Sequence, residues 1–414
     1  MIIGNSAAGL SAIEAFRKRD LDSKVTLIDR EPYPAYSRVI TPYFIMGGMK
    51  EEGHLFLRDK NYYKGLGVKT LLGVEVLGVD TRLREVLLDN GKKESFDLLL
   101  IATGSSPVRP RIRGTKTEDI GVLRSLDDAR RLKELKPKVE RILFMGGGLV
   151  SLQTLQALYR RGGEYTLIIK SDRLLSQTLD REGSETVERH LKKMNVKILK
   201  GRDLVQLKRK NGVLIGTLDH GEEVEVDFVF AGKGVRPNID FLKGSGIRMK
   251  RGVWVDAQME TNVEGIYAAG DVAEAPDFFS GEKVNYGLWP SAVEQGEIAG
   301  KNMAGLKEAY SGNLKMNVTR VFAMPIVSIG EVGSDRAAET LIKKDEKREI
   351  YRKLCLDEKG VLIGAILINQ MDDLGILQGL IRGRREGGVL KTNSIWRSPV
   401  NYGVVFKNLR HGTL

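Results

Sequence analysis

Cysteine and histidine are scarce in this chain, with one cysteine and four histidines among 414 residues. The single thiol, Cys355, excludes an internal disulfide, a redox-active dithiol and a cysteine-ligated metal centre. The histidines are spread over the whole sequence, and no two of them have the short spacing of paired metal ligands. The sequence therefore predicts no metal site and no disulfide chemistry within the chain.

Long apolar runs are also missing. No stretch reaches the roughly 20 apolar residues that span a bilayer. The first residues, from Met1 to Gly4, have the pattern of neither a signal nor a transit peptide and are typical of the end of a β-strand, so a residue or two is expected upstream. From these features we expect a cytoplasmic protein without a membrane span.

Positive charge is in excess, with a formal net charge of +12. The basic residues are dispersed among acids, as where Lys343-Lys344 is followed by Asp345-Glu346. No basic helix interleaved with aromatic residues is present, which argues against nucleic-acid binding. The excess charge instead favours an acidic electron-transfer protein as a partner.

One glycine-rich pattern occurs twice. Residues 4–9 read Gly-Asn-Ser-Ala-Ala-Gly, and residues 146–151 read Gly-Gly-Gly-Leu-Val-Ser. Each follows an apolar strand, precedes a helix with apolar residues at helical spacing, and is followed by a second buried strand. This order forms a βαβ unit in which the glycine turn places helix amides against a pyrophosphate. Two such units predict two dinucleotide sites.

The two units predict an α/β fold with two doubly wound dinucleotide-binding domains. From about residue 318, alternating strands and a hairpin at 357–360 predict a C-terminal α+β interface domain. We place the first domain at 1–112 and 256–317, the second at 113–255 and the third at 318–414. The predicted elements are strands at 2–3, 25–28, 85–88, 96–102, 142–145 and 165–169, a matching strand segment at 222–231, and helices at 10–19 and 149–161.

In the first turn, Gly4 allows the tight bend and Gly9 lets the helix pack closely on the strand, while Ser6 replaces the usual middle glycine. Asp29 lies 20 residues beyond Gly9, where an acid hydrogen-bonds a ribose hydroxyl. The alternative is an ordinary βα turn followed by a surface aspartate. The complete series of strand, turn, helix, strand and acid favours the cofactor site.

Four further segments complete a recognisable pattern. They are Ile101-Ala102-Thr103-Gly104, Gly234-Val235-Arg236-Pro237-Asn238, the run from Thr261 to Val272, and Leu288-Trp289-Pro290 with Ala292, Gln295 and Gly296. In order and spacing, the chain resembles the flavoproteins with two dinucleotide sites: pyridine nucleotide-disulfide oxidoreductases, NADH oxidases, rubredoxin reductases and the flavin part of NADH-nitrite reductases. The resemblance covers residues 1 to about 330, and the tail resembles the family's dimerisation domain more loosely.

The resemblance implies FAD in the first site and NADH or NADPH in the second. Asp271 would hydrogen-bond the ribityl or phosphate part of FAD, and Gly270 would allow close backbone approach. The implied FAD residues are Gly4, Ser6, Ala7, Ala8, Gly9, Asp29, Arg30, Arg38, Ala102, Thr103, Gly104, Gly270, Asp271, Trp289, Pro290 and Ala292. The implied NAD(P) residues are Gly146, Gly148, Leu149, Val150, Lys170, Arg173, Gly232 and Gly234.

The candidate catalytic residues are Arg38 and Pro42. A cation beside the flavin ring stabilises its anionic reduced form, and Arg38 is the candidate; the alternative is a solvated loop arginine. NADH oxidases and CoA-disulfide reductases carry a redox cysteine in this loop, in a Cys-Gly-x-Pro-Tyr pattern. This chain keeps Pro42 and Tyr43 and has Val39 at the cysteine position. We therefore expect electrons to leave the flavin directly.

The second site departs from the family pattern. Ser151 stands where glycine is usual, and Gln153 where glutamate is usual. The following strand ends at Ile169 without the acid that is typical for NAD, and Lys170 or Arg173 could bind a 2′-phosphate. This favours NADPH over NADH, with weak or absent nucleotide binding as the remaining alternative.

Two functions agree with these features. The first is an FAD-dependent NAD(P)H oxidoreductase without a redox cysteine, whose acceptor is a small iron–sulfur or rubredoxin-like protein. The second is an FAD-containing electron-transfer subunit of a larger complex that can run toward NAD(P)+ reduction, with iron–sulfur clusters on other chains. The resemblance also implies a homodimer whose tail closes the neighbouring site; in the alternative, Phe322, Pro325 and Trp396 are internal core.

Overall fold

The computed structural model describes residues 1–49, 51–115, 120–210, 213–333 and 336–383. Trp396 and the rest of 384–414 lie outside them. The helices are α1 (Ala7–Arg17), α2 (Thr41–Met46), α3 (Lys60–Gly65), α4 (Leu126–Leu135), α5 (Leu149–Leu158), α6 (Arg181–Lys193), α7 (Trp289–Met303) and α8 (Leu374–Gly383).

The strands follow in chain order. They are β1 (Ile2–Ile3), β2 (Val25–Asp29), β3 (Val68–Leu72), β4 (Val76–Asp80), β5 (Glu85–Leu88), β6 (Lys93–Ser95), β7 (Leu99–Ile101), β8 (Ser105–Pro107), β9 (Arg141–Met145), β10 (Glu164–Ile169), β11 (Val196–Lys200), β12 (Leu204–Lys210), β13 (Val213–Leu218), β14 (Glu223–Val226), β15 (Phe228–Ala231), β16 (Val235–Pro237), β17 (Val253–Trp254), β18 (Ile266–Ala268), β19 (Ala273–Pro276), β20 (Lys283–Val284), β21 (Met316–Val321), β22 (Met324–Gly330), β23 (Glu339–Asp345), β24 (Ile350–Leu356) and β25 (Leu362–Ile368).

The first of two compact units comprises Met1–Val108, Arg124–Lys133 and Gly234–Leu314. Its main sheet is parallel and five-stranded, in the order β18-β7-β1-β2-β3. The short strand β1 lies at the centre of the sheet. It pairs with β2 on one side and β7 on the other, and both of its residues are buried. The first predicted βαβ unit is confirmed.

Small residues bring α1 and α7 into close contact in this unit. A Cβ atom added at Gly296 would lie 2.2 Å from the carbonyl oxygen of Ala8, and one at Gly300 would lie 2.3 Å from that of Ala12. Only a residue without a side chain permits this approach. Because α1 follows the first glycine turn and α7 begins at Trp289, the contact fixes two predicted cofactor segments relative to each other.

The second unit comprises Arg109–Leu123, Glu134–Lys233 and the described part of Lys315–Leu414. It contains a parallel sheet in the order β11-β10-β9-β15 and an antiparallel sheet in the order β21-β22-β25-β24-β23. The α/β class, the second βαβ unit and the C-terminal α+β segment are therefore confirmed.

Several elements differ from the sequence prediction: the helix predicted over 10–19 is α1, Ala7–Arg17, and the strand predicted over 96–102 is β7, Leu99–Ile101. The helix predicted over 149–161 ends at Leu158, because the backbone of Tyr159 leaves the helical region at ψ 133°. The segment 222–231 contains two strands, β14 and β15, which belong to different sheets. Asp227 separates them, because its carboxylate accepts hydrogen bonds from the amides of Glu140 at 3.0 Å and Arg141 at 2.8 Å.

No helix among the described residues has the length and apolar character needed to cross a membrane. The same residues contain no group of three His, Cys, Asp or Glu side chains that could hold a metal ion.

Candidate cofactor sites

The predicted FAD residues of the first unit gather at one edge of its parallel sheet. The glycine turn follows β1, Asp29 ends β2, Ala102 follows β7, and Gly270 and Asp271 follow β18. The carboxyl ends of parallel strands form the crevice in which doubly wound sheets bind their ligands. The fold therefore brings together segments that lie up to about 270 residues apart in the sequence.

Two glycines of the first glycine turn, Gly4 and Gly9, leave no space for a side chain. Gly4 has φ +114°, and a Cβ atom there would lie 2.1 Å from the carbonyl oxygen of Ala102. A Cβ atom at Gly9 would lie 1.9 Å from the carbonyl oxygen of Gly4. Ser6 precedes α1 but makes no capping hydrogen bond with its side chain, so the first amides of the helix suit an anionic pyrophosphate.

Asp29 stabilises this turn through hydrogen bonds to backbone amides. One carboxylate oxygen accepts a hydrogen bond from the amide of Asn5 at 2.5 Å, and the other accepts one from the amide of Glu31 at 2.7 Å. Burial raises the pKa of Asp29, while these two amides act in the opposite direction. The buried Asn5 side chain also donates to the Tyr33 carbonyl and accepts from the Tyr63 hydroxyl at 2.8 Å. This role of Asn5 is not among the sequence predictions.

Asp271 has a cationic partner that the sequence reasoning missed. One of its oxygens accepts hydrogen bonds from Ser105 Oγ at 2.9 Å and from Arg124 Nη2 at 2.7 Å. Arg124 directly precedes a reciprocal cap, in which the Ser125 amide donates to Asp128 and the Asp128 amide donates to Ser125 Oγ. This Ser-x-x-Asp cap at the start of α4 is the sequence signal that could have located Arg124.

Arg38 is engaged in a network of hydrogen bonds. Its guanidinium lies 2.6 Å from Glu31 Oε1, donates to the Tyr36 hydroxyl at 2.7 Å and donates to the Arg124 carbonyl at 3.0 Å. Burial raises the pKa of Tyr36, so this phenol remains protonated at neutral pH. With a side chain only 19% exposed, Arg38 differs from a solvated loop arginine.

Pro42 and Val39 differ in solvent exposure, although both lie in the loop that carries a redox cysteine in related enzymes. Pro42 is buried in the first turn of α2, where a proline fits because the first helical amides need no partner within the helix. Val39 is 51% exposed. Cys355 lies in β24 of the second unit, and burial raises its pKa to about 11.

The start of α7 adjoins Gly270 in the first unit. Gly270 has φ +82°, and a Cβ atom there would lie 3.4 Å from the Cβ of Ala292. The amide of Gly270 donates to Gln295 Oε1 at 2.8 Å, and Trp289 and Pro290 form the first turn of α7. The cleft beside them is lined by Gly270, Asn285, Gly287, Leu288, Ser291 and Ala292.

The two junction segments of the first unit are hydrogen-bonded to each other. Thr103 Oγ1 donates to the Asn238 carbonyl at 3.0 Å, and Asn238 Nδ2 donates to the Thr103 carbonyl at 2.8 Å. Gly104 has φ +64°, and Gly234, which also belongs to this unit, has φ +89°. Arg30 is exposed and donates to Ser106 Oγ at 3.3 Å.

The second glycine turn has the same closed geometry. Gly146 has φ +104°, and a Cβ atom there would lie 2.4 Å from the carbonyl oxygen of Gly232. A Cβ atom at Gly148, at the start of α5, would meet none of the described residues within 4 Å. Ser151 is accommodated because its Oγ lies where Gly232 has no side chain, and this buried oxygen has no hydrogen-bond partner among the described residues.

Leu149 and Val150 form the first turn of α5, and Val150 is 43% exposed. At the end of β10, Ile169 is buried. The Lys170 side chain is 73% exposed and lies 3.2 Å from Asp203 Oδ2. Burial would raise the pKa of Asp203, but Lys233 and Lys170 outweigh burial and lower it.

Arg173 follows shortly after β10 in the second unit. Its Nη1 lies 3.0 Å from Asp172 Oδ1, and Arg181 lies 2.6 Å from the other oxygen of the same carboxylate. The last residue of β10 is therefore Ile169 and not an acid, and the cations that follow it, Lys170 and Arg173, are paired with Asp203 and Asp172.

Known proteins share this arrangement of sequence and fold. Residues 1–296 match the family described as pyridine nucleotide-disulphide oxidoreductase, and residues 316–385 match the rubredoxin NAD+ reductase C-terminal domain. Over 391 residues the chain is 31% identical to the NADH-dependent phenylglyoxylate dehydrogenase subunit epsilon of Aromatoleum evansii, which covers 93% of this chain and 92% of that protein.

Two further relatives are an enzyme and a solved structure. An NADH oxidase of Methanocaldococcus jannaschii is 28% identical over 389 residues, covering 89% of this chain and 87% of that protein. The crystal structure of a ferredoxin reductase from Rhodopseudomonas palustris has a TM-score of 0.84 at 19% identity, covering 91% of this chain and 92% of that one.

Proposed function

The chain belongs to the pyridine nucleotide-disulphide oxidoreductase family, which is FAD- and NAD(P)H-dependent, and on this premise we propose that it passes electrons from the flavin directly to a small iron–sulfur or rubredoxin-like protein. The observation that carries the proposal is the pair of closed glycine turns, where a Cβ atom would lie 2.1 Å from a carbonyl oxygen at Gly4 and 2.4 Å at Gly146. When bound, FAD accepts a hydride from a nicotinamide and delivers electrons onward.

The residues of the first unit supply binding and charge for this reaction. Asp271, oriented by Arg124 and Ser105, would hold the ribityl or phosphate part of FAD. Arg38 would place a cation beside the flavin ring, where positive charge would stabilise the reduced form, and Arg124 would compensate the charge of Asp271. Arg38 is held in position by its ion pair with Glu31.

Direct electron exit is supported by the position of the thiol. Val39 replaces the redox cysteine of the related loop, and Cys355 is buried in another unit with a pKa of about 11. A thiol that stays protonated is a poor nucleophile and a poor electron relay.

Anaerobic stopped-flow absorbance tests the oxidoreductase function. The FAD-loaded protein is mixed with NADH or NADPH, and we expect the flavin band to bleach with at least one of them. Subsequent mixing with oxidised rubredoxin should restore the band. If neither nucleotide bleaches the flavin, the proposal is wrong.

We also propose that NADPH is preferred over NADH. The support is the absence of an acid at the end of β10, together with the exposed Lys170 and the nearby Arg173. We expect Lys170→Glu to lower the ratio of kcat/KM for NADPH over that for NADH, whereas Lys18→Glu in the other unit should leave this ratio unchanged. Because the relative from Aromatoleum evansii is NADH-dependent by name, a wild-type preference for NADH would refute the coenzyme preference alone.

A second function is favoured by that same relative. Its name describes a subunit, and it matches this chain over nearly the whole of both lengths. In this role the chain would be the FAD-containing subunit of a larger iron–sulfur complex that reduces NAD(P)+. Native mass spectrometry after gentle purification separates the two: co-purifying iron–sulfur chains support the subunit, and the homodimer implied by the family resemblance argues against it. The cytoplasmic location stays a prediction.

A further inference from the structure

An exposed basic hairpin, residues 248–254, projects from the first unit. Arg248, Lys250, Arg251 and Trp254 are all exposed, and Trp254 keeps 40% of its surface accessible. None of the three cations forms an ion pair with another described residue. Elsewhere on this unit many basic side chains have carboxylate partners, so the hairpin combines uncompensated positive charge with an aromatic surface.

A buried carboxylate holds the hairpin rigid. Glu274, which is 5% exposed, accepts hydrogen bonds from the amides of Arg251 at 2.9 Å and Gly252 at 3.0 Å through one oxygen. Its other oxygen accepts from Trp254 Nε1 at 2.5 Å. These bonds fix the backbone and the indole ring, so little conformational entropy remains to be lost when a partner binds to them.

The base of the hairpin adjoins the predicted flavin segment. The amide of Val253 donates to the carbonyl of Val272 at 2.8 Å, and Val272 directly follows Asp271. A Cβ atom at Gly252 would lie 2.5 Å from the same carbonyl oxygen, so this close approach requires glycine. The exposed cations are thus joined through two short strands, β17 and β19, to the edge of the sheet that carries the FAD residues.

We propose that the basic hairpin is the docking surface for the acidic iron–sulfur or rubredoxin-like acceptor; this inference rests on the proposed function. Three uncompensated cations attract and orient a negatively charged surface, while the net charge of +12 accelerates encounter. Arginine and tryptophan are also the residues that most often dominate binding energy at protein interfaces. An anionic membrane fits less well, because a single ring whose N–H is bonded inward offers little apolar area for insertion.

Charge reversal of the hairpin tests this surface. The variant carries Arg248→Glu, Lys250→Glu and Arg251→Glu, and a milder variant carries glutamine at the same three positions. With an acidic rubredoxin as the probe, we expect kcat/KM of the glutamate variant to fall at least about tenfold at low ionic strength, with most of the loss removed by high salt. The glutamine variant should lose less. Flavin reduction by NAD(P)H and turnover with a neutral quinone should match wild type.

The matched control carries Lys18→Glu, Arg19→Glu and Lys24→Glu, which change the net charge equally at exposed residues of the same unit. Equal slowing by the control would show that only net charge matters, and this would overturn the hairpin proposal. Sedimentation with phosphatidylserine vesicles that is lost only in the hairpin variant would assign the surface to a membrane instead. If the wild-type flavin is reduced normally but does not reduce rubredoxin, the proposal that the hairpin docks this class of partner is wrong. If NAD(P)H does not reduce the flavin at all, the proposed function itself is wrong.

Discussion

Val39 stands in the loop where a thiol relay would begin, and its exposed side chain cannot carry electrons. The only thiol, Cys355, is 0% exposed, and burial raises its pKa to about 11. A thiol in that environment resists deprotonation at neutral pH and behaves as a small apolar residue. The chemistry of single residues therefore favours electron exit from the flavin itself.

For Cys355→Ala we expect unchanged rates of flavin reduction and of acceptor reduction. We also expect little alkylation of the folded wild type by iodoacetamide at pH 8, because its thiol pKa lies well above the reference value of about 8.5 that returns on unfolding. Mass spectrometry before and after denaturation measures the alkylation. Rapid labelling of the folded protein with loss of activity would restore a thiol mechanism.

Asp271→Asn should weaken FAD binding. The substitution removes the carboxylate charge that Arg124 orients at 2.7 Å, and a hydrogen bond from FAD to this charged group would contribute about 1.5–3 kcal/mol to binding. This corresponds to roughly a tenfold or larger rise in Kd for FAD. Fluorescence titration of the apoprotein with FAD measures it, and Asp22→Asn, at an exposed loop position, is the matched control. Equal affinities of both variants would remove Asp271 from the cofactor site.

At the scale of elements, paired glycines decide how closely two helices approach. α1 and α7 touch through Ala8 and Ala12 on one side and Gly296 and Gly300 on the other. These contacts set the distance between the first glycine turn and the start of α7, so we expect stability and FAD binding to depend on the same packing.

Gly296→Val is expected to lower the free energy of unfolding by about 2 kcal/mol or more, because overpacking forces the helices apart. It should also reduce FAD retention. Gly379→Ala in α8 is the control, since a Cβ atom there meets no described residue within 4 Å. That change should be neutral or stabilise by up to about 1 kcal/mol. Urea unfolding measures both, and equal stabilities would contradict the packing argument.

Carboxylates form ion pairs with basic side chains at several places in the second unit, and together these pairs make the stability of the molecule depend on pH. Burial would raise the pKa of Asp203, Asp227 and Glu349, but neighbouring cations outweigh it and lower all three. For Glu349 these neighbours are Lys193 and His190. A carboxyl whose pKa is lower in the folded than in the unfolded chain stabilises the fold above its unfolded pKa.

We therefore expect the melting temperature to fall as the pH drops from about 5 through the unfolded values near 4 and below. Glu349→Gln should be less stable than wild type at pH 7 and should lose less stability on acidification. Differential scanning calorimetry at several pH values measures this. A variant curve parallel to that of wild type would show that Glu349 does not contribute.

The two glycine turns and the strands and helices around them could be predicted from the sequence, because they depend on local conformation and on short-range periodicity, whereas the significance of Val39 rests on the family resemblance. Gly4 and Gly146 could be identified since only glycine adopts their backbone angles beside a carbonyl oxygen. The α/β class followed from the same two units, and the C-terminal sheet from its alternating pattern.

The contacts between distant groups depend on the three-dimensional fold. Arg124 and Asp271 are 147 residues apart and pair because β7 and β18 are neighbours in the sheet while the cap of α4 directs the arginine toward them. Likewise, Ser151 is tolerated only because Gly232 lies against it, and the basic hairpin adjoins the predicted flavin segment only through the pairing of β17 with β19. Such contacts depend on strand order and packing, which short-range sequence patterns do not encode.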